Sequence, residues 1–177
     1  MTGETVRSDA LQPVALSLDR PRVTQGAAFH GLVDACKPLD LNSRYAYLLL
    51  CEHFADTCVT ASAGGCVVGF VSAYKPPAQE KTIFVWQVAV DAQARSQGVA
   101  KHMMRELLAR PAARACEYLE TTVSPSNTAS RRLFHSLARE LGARVNEEPL
   151  FAEGHFGGED HECEMLIRIG PFQGKQQ

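Results

Sequence analysis

The stretch from Ile83 to Arg105, IFVWQVAVDAQARSQGVAKHMMR, constrains the fold more than any other, because an apolar run passes through a short polar loop into a helix-forming segment. Between Ile83 and Val90 the one polar side chain is Gln87, and the β-branched and aromatic content suits a strand covered on both faces. That strand is expected mid-sheet. Strict alternation sends Phe84, Trp86, Val88 and Val90 to one face and Ile83, Val85, Gln87 and Ala89 to the other. Asp91 to Gln97 carries no large apolar residue, and Gly98, lacking a Cβ, lets the backbone approach a ligand closely. Ala100 keeps that approach open. Val99 to Arg110 consists of good helix formers with Met103, Leu107 and Leu108 on one side, so a helix begins at the glycine.

The first amides of a helix lack internal acceptors and lie at the positive end of its dipole. A diphosphate beside Gln97, Gly98, Val99, Ala100 and Lys101 would satisfy several of them, and Arg95 adds a formal charge. Two common phosphate-binding loops are absent. A Walker loop needs Gly-Lys-Ser/Thr where Gly98 is followed by Val99 and Ala100, and a dinucleotide fingerprint needs three glycines where only Gly98 lies between Phe70 and Gly142. A different phosphate-bearing ligand is implied.

Arg95-Ser-Gln-Gly98-Val-Ala100, directly after the strand Trp86 to Val90, resembles the acetyl-coenzyme A signature R/Q-x-x-G-x-G/A of the GCN5-related N-acetyltransferase (GNAT) superfamily. The resemblance implies an α/β GNAT fold, with a mixed, mostly antiparallel sheet of six to seven strands flanked by helices, and acetyl-coenzyme A as co-substrate. It implies cofactor contacts at Val88, Val90, Arg95, Gln97, Gly98, Val99, Ala100 and Lys101, with the tetrahedral oxyanion near the Val88 amide. The segment Leu119 to Phe134, LETTVSPSNTASRRLF, resembles the second motif of the superfamily, which implies that Asn127 helps hold the pantetheine arm. Read from the residues alone, Asn127 is equally a helix N-cap. Many members carry a tyrosine seven residues after that asparagine to protonate the leaving thiolate, and here the position is Phe134. The source of that proton is left open.

At 177 residues the chain is expected to form one GNAT domain, with loose tails at about 1–12 and 170–177. The coarse order is a strand at Val14 to Asp19, helices at Thr24 to Cys36 and Ser43 to Ala55, a hairpin of Cys58 to Ser62 and Cys66 to Tyr74 about Gly64-Gly65, and later strands at Glu117 to Val123 and Glu162 to Ile169. The six cysteines include no C-x-x-C pair and several lie in apolar runs, so buried reduced thiols and a cytoplasmic location are expected. No basic-then-apolar leader and no charge-free run of membrane-spanning length is present. A formal charge of −2 supplies no basic field for nucleic acid, though it suits a cationic substrate. No nucleic-acid or membrane partner is expected.

Three further segments are candidates for acceptor recognition: Lys37 to Phe54, Trp86 itself, and the acidic loop Phe151 to Glu164 with His155 and His161. On their own residues, Asp40 reads as a solvated turn, Tyr45 as an edge aromatic, and Trp86 either as core or as a wall for an amine or its alkyl chain. His155, His161 and Cys163 lack the compact second pair of a metal site, so no metal is expected. Taken together, Leu39 to Cys51, Val85 to Val90, Thr121-Thr122 and Phe156 to Glu164 resemble the L-2,4-diaminobutyrate acetyltransferase family of ectoine biosynthesis. That resemblance implies a homodimer acting on a small amino acid. It implies Glu164, His161 and Tyr45 as the catalytic group and Asp40, Trp86 and Thr122 as substrate contacts. Glu164 shares a strand face with Glu162, Leu166 and Arg168 and is the first candidate for the base; His161 competes because its ordinary pKa lies nearest neutrality. Acetylation of another small amine, such as a polyamine or amino-sugar, and a non-catalytic acyl-coenzyme A sensor are the alternatives.

Overall fold

The computed structural model describes residues 15–157 and 161–172. Val14, both expected tails outside these bounds, and Gly158 to Asp160 of the acidic loop lie outside the described residues. The order of elements is β1 (Leu16–Asp19), α1 (Gly26–Asp34), α2 (Arg44–His53), β2 (Val59–Ala63), β3 (Cys66–Tyr74), β4 (Thr82–Val90), α3 (Val99–Ala109), β5 (Tyr118–Val123), α4 (Thr128–Glu140), β6 (Val145–Phe151) and β7 (Glu164–Ile169). The strands form one seven-stranded sheet in the order β1-β2-β3-β4-β5-β7-β6, antiparallel except for the parallel β4–β5 pair. This is the expected mixed α/β architecture.

Local chemistry accounts for several boundaries. Gly64 and Gly65 have φ of 57° and 80°, the positive pair that a two-residue primed turn requires, and Ala63 pairs with Cys66 across it. Ser43 caps α2 by accepting from Ala46 N–H at 3.2 Å, and Asn127 caps α4 by accepting from Ser130 N–H at 3.1 Å. The first expected helix is shorter than Thr24 to Cys36. A 3-10 turn at Val23–Gln25 precedes α1, and the chain leaves the helix after Asp34.

Two core clusters sandwich the sheet. One joins Met103, Met104 and Leu107 of α3 and Phe134 and Leu137 of α4 to Val71, Ile83, Val85, Leu119 and Ile167. The other joins Phe29 and Val33 of α1 and Tyr47 and Leu50 of α2 to Phe70 and Ala89. Each fully buried side chain of the Leu or Met type contributes about 1.5–3 kcal/mol relative to exposure, so α3 is anchored firmly beneath its own N-terminal loop.

The expected alternation along β4 breaks at its centre. Ala73 pairs with Val85 and Ser72 with Gln87, so β4 spends one extra residue, Trp86, against β3. This is a β-bulge, and beyond it the faces exchange. Val88 and Val90 join Ile83 and Val85 against the α3–α4 cluster, whereas Ala89 belongs to the α1–α2 cluster and Gln87 reaches Tyr47 of α2. Trp86 is exposed rather than buried in the core.

Candidate active site

The parallel β4–β5 ladder runs from Thr82–Tyr118 to Val85–Thr121 and ends there, while β4 continues to Val90 and β5 to Val123. The two strands diverge. N–H directions alternate along a strand, and the Gln87 N–H points toward β3, donating to Ser72 Oγ at 3.1 Å. The Val88 N–H therefore points into the opened side.

A groove of about 490 Å³ occupies this divergence, lined by Val88, Val90, Arg95, Gly98, Val99, Ala100, Lys101 and Asn127 among others. Its floor follows from the loop geometry. Ser96 has φ of 62° and Gly98 of 77°, which curls the chain so that successive amides converge at the start of α3. The first helical bond is His102 N–H to Gly98 O at 3.0 Å, no side chain caps this end, and the amides of Val99, Ala100 and Lys101 lie ahead of that bond. Anions are favoured there by donors and dipole alike. Arg95 lines the same groove, its Nε donating to Val90 O at 3.0 Å and its guanidinium to Cys36 Sγ at 3.5 Å. Gln97, expected among the cofactor contacts, is not part of the groove lining, and its side chain turns back to donate to Gln93 O at 2.8 Å.

Sequence reasoning missed the opposite wall. Cys36, Lys37, Pro38 and Leu39, from the connection after α1, line the groove together with Ala129, Ser130 and Leu133 of α4. Only the last three were reachable, by helical spacing from Asn127.

A second cavity of about 400 Å³ opens on the far side of the bulge, lined by Tyr74, Phe84, Trp86, Glu120, Thr122 and Leu166 among others. Trp86 and Thr122 face one space. Asp40, His161 and Glu164 meet at a corner near Thr122. His161 Nε2 lies 3.2 Å from Asp40 Oδ2, and its Nδ1 lies 2.7 Å from the Glu162 carbonyl. Both ring nitrogens thus face acceptors, which the ring satisfies only by carrying two protons. Its pKa is raised accordingly, chiefly by the bond to the Glu162 carbonyl and then by Asp40. Phe156 stacks on the ring at 3.8 Å between centroids and fixes its plane. Burial raises the pKa of Glu164, while the Thr122 side chain and the His161 ring pull it the other way. Tyr45 is two-thirds exposed on α2 and makes none of these contacts.

Phe134 is buried in the α3–α4 core. Cys36, Cys51, Cys58 and Cys116 are buried as expected and in no disulfide, but Cys66 is exposed beside the hairpin turn and Cys163 is half-buried. Among the described residues no three His, Cys, Asp or Glu side chains form a group able to hold a metal ion, and no helix is long and apolar enough to cross a membrane.

A splayed β4–β5 pair above an uncapped helix start defines an acyltransferase scaffold of the GNAT type, and the model of the acetyltransferase (GNAT) family matches residues 27–138. The chain belongs to that family. Among curated relatives it is 56% identical to the L-2,4-diaminobutyric acid acetyltransferase of Bordetella parapertussis, over 86% of this chain and 82% of that protein. It is 42% identical to the protein of the same name from Methylotuvimicrobium alcaliphilum, over 91% and 94% respectively. Among solved structures it is similar to the diaminobutyrate acetyltransferase of Paenibacillus lautus in complex with L-2,4-diaminobutyric acid and coenzyme A. That match has a TM-score of 0.88 at 41% identity and covers 93% of this chain and 99% of the other.

Proposed function

We propose that this chain transfers the acetyl group of acetyl-coenzyme A to the γ-amino group of L-2,4-diaminobutyrate, giving Nγ-acetyl-diaminobutyrate for ectoine formation. The observation that carries the reading is the bulge of β4, which sets Val88 in the anion-floored groove and Trp86, two residues earlier, in the second cavity. Thioester and amine would meet across it. The identity to diaminobutyrate acetyltransferases over most of the chain supports the choice of amine.

In this reading Gln97 to Lys101, with Arg95, receive the diphosphate, and Val88, Val90 and Asn127 hold the pantetheine arm. The γ-ammonium has no lone pair, so a base must first remove a proton. Glu164 is assigned that role because it sits beside Thr122 with a carboxylate that burial makes a better proton acceptor, whereas both ring nitrogens of His161 are engaged by the Glu162 carbonyl and Asp40. The free amine attacks the thioester carbonyl and a C–N bond forms. The oxyanion is met by the Val88 amide, and the C–S bond then breaks to release the thiolate. Phe134 has no hydroxyl to give, so the thiolate takes its proton from water or from Glu164. Asp40 anchors the substrate's ammonium, Thr122 and Trp86 bound the cavity, and Tyr45, exposed on α2, is assigned to shaping the pocket.

The identity to diaminobutyrate acetyltransferases over most of the chain favours an amino acid over the alternative amines. Thiol release from acetyl-coenzyme A with diaminobutyrate, polyamines and amino-sugars side by side, followed by locating the acetyl group on the product, tests the reading. Coenzyme A binding without thiol release for any amine would support a sensor instead. We further propose one catalytic domain, acting as a cytoplasmic homodimer without nucleic-acid or membrane partners. The homodimer is carried by the resemblance described above, and a one-chain mass in solution at every concentration would reject it.

A further inference from the structure

We infer that Gln87 is a positioning residue that fixes the wall shared by the two halves of the site; this rests on the acetyltransferase reading above. A side-chain amide in a buried strand is disfavoured unless its donor and acceptor are both engaged. Gln87 is 4% exposed and is the only polar residue from Ile83 to Val90. Both ends of its amide are used, and both on one neighbouring segment. Nε2 donates to the Asp40 carbonyl at 2.6 Å, and Oε1 accepts from the Tyr47 hydroxyl at 3.3 Å. Tyr47 Oη in turn accepts from the Asn42 N–H at 3.4 Å. The segment Asp40 to Asn42 is therefore gripped at both ends by one buried network.

That segment is where the two half-sites join. Lys37, Pro38 and Leu39 line the cofactor groove, and the next residue, Asp40, sends its carboxylate to His161 in the substrate corner. No regular element spans Lys37 to Ser43, so the segment's position depends on such tethers. The Tyr47 end is rigid, since the residue is fully buried and its ring makes edge contacts with Phe70 at 6.3 Å and His30 at 6.0 Å. The Gln87 end is fixed by its backbone N–H, which donates to Ser72 Oγ. Without the bulge, Gln87 would face the α3–α4 core alongside Val85. One irregularity thus aims Trp86 at the amine cavity and Gln87 at the loop.

The test uses the full chain carrying Gln87→Leu, which keeps most of the volume and removes both bonds, with Tyr47→Phe as a milder variant that deletes the hydroxyl alone. Gln87→Leu should raise KM for acetyl-coenzyme A and for diaminobutyrate by roughly tenfold each, with a smaller fall in kcat, and Tyr47→Phe should shift both the same way by less. In an Asp40→Asn background the further effect of Gln87→Leu on the amine KM should shrink below about twofold while its effect on acetyl-coenzyme A persists. A uniformly loosened protein would not separate the two. Unchanged KM values in Gln87→Leu, or full additivity with Asp40→Asn toward the amine, would overturn the proposal. If Gln87→Leu does not fold, Tyr47→Phe decides by the same criteria. Calorimetric binding of coenzyme A to wild type and variants keeps the question separate from the choice of amine: wild type inert toward diaminobutyrate would refute the proposed substrate, while equal coenzyme A affinity in wild type and Gln87→Leu would refute the role of Gln87.

Discussion

Replacing Gly98 with valine should raise KM for acetyl-coenzyme A far more than KM for the amine. Gly98 sits at φ 77° and ψ 5°, in the left-handed region, directly before the amides proposed to hold the diphosphate. An added Cβ would come no closer than 3.7 Å to His102, an ordinary contact, so protein crowding is not the obstacle. The obstacle is the backbone angle. A left-handed conformation costs an L-residue about 1–2 kcal/mol, with β-branched residues at or beyond the upper end. If the loop escapes that strain by unwinding, the cradle is lost from most of the population, and roughly a 5- to 30-fold rise in KM follows. Gly98→Ala should fall at the low end, and Gly98→Asn, which tolerates the left-handed region, should be closest to wild type. Thiol release measured with each substrate varied at saturating levels of the other separates the two constants. Asparagine as harmful as valine would show that ligand proximity rather than φ demands glycine, and equal changes in both constants would show that the loop is not the cofactor cradle.

Glu164→Gln is expected to lower kcat by roughly 10²–10⁴-fold while coenzyme A affinity survives, and higher pH should partly rescue it by freeing the amine in solution. Because burial raises the Glu164 pKa, wild-type kcat should decline with falling pH sooner than an ordinary carboxylate would dictate; a glutamine variant that keeps this decline would clear Glu164 of the role. His161 runs in the opposite sense. Its raised pKa means that the attraction to Asp40 is fully present below the unfolded value and is lost as pH rises through the folded one. The amine KM should rise over that window in wild type and not in His161→Ala, and loss of the acid limb of kcat in His161→Ala would instead make the histidine the base. Cys163→Ser should retain wild-type turnover, and a kinetically competent acetyl-cysteine seen by intact-mass spectrometry would contradict direct transfer.

The anion-favouring loop was legible because its determinants are consecutive: an apolar strand, a polar loop, one glycine, a helix. Val88, Val90 and Asn127 were named through resemblance, and eight of the nine residues expected to contact the cofactor line a single groove, Gln97 being the exception. The amine half was not legible from spacing. Asp40 and His161 are 121 positions apart and meet only through the fold, and their grouping came from resemblance alone. Two errors have identifiable causes. Period-two reasoning along β4 held as far as Val85 and failed after it, since a bulge shifts phase without any required residue to announce it. The strand β6 went unseen because Asn146, Glu147, Glu148 and Pro149 give it no strand-like composition. It exists through pairing with β7 at the sheet edge, where a proline and charges are tolerated. Gln87 did leave a signal, a lone amide in an apolar run, but its partners lay outside the strand.

Where β4 and β5 part company, the sheet has an open seam lined by main chain. A pantetheine arm, with amide groups of its own, would enter that seam as a surrogate strand, completing the ladder through backbone donors and acceptors. Such recognition is indifferent to side-chain identity, so Val88 and Val90 could change among residues of similar shape and the carrier would still dock. Choice between amines must then be exercised wholly from the other bank of the bulge. Occupancy should also fasten the two diverging strand ends to each other, so that the amide hydrogens of Val88 and Val90 exchange more slowly with coenzyme A bound than without it.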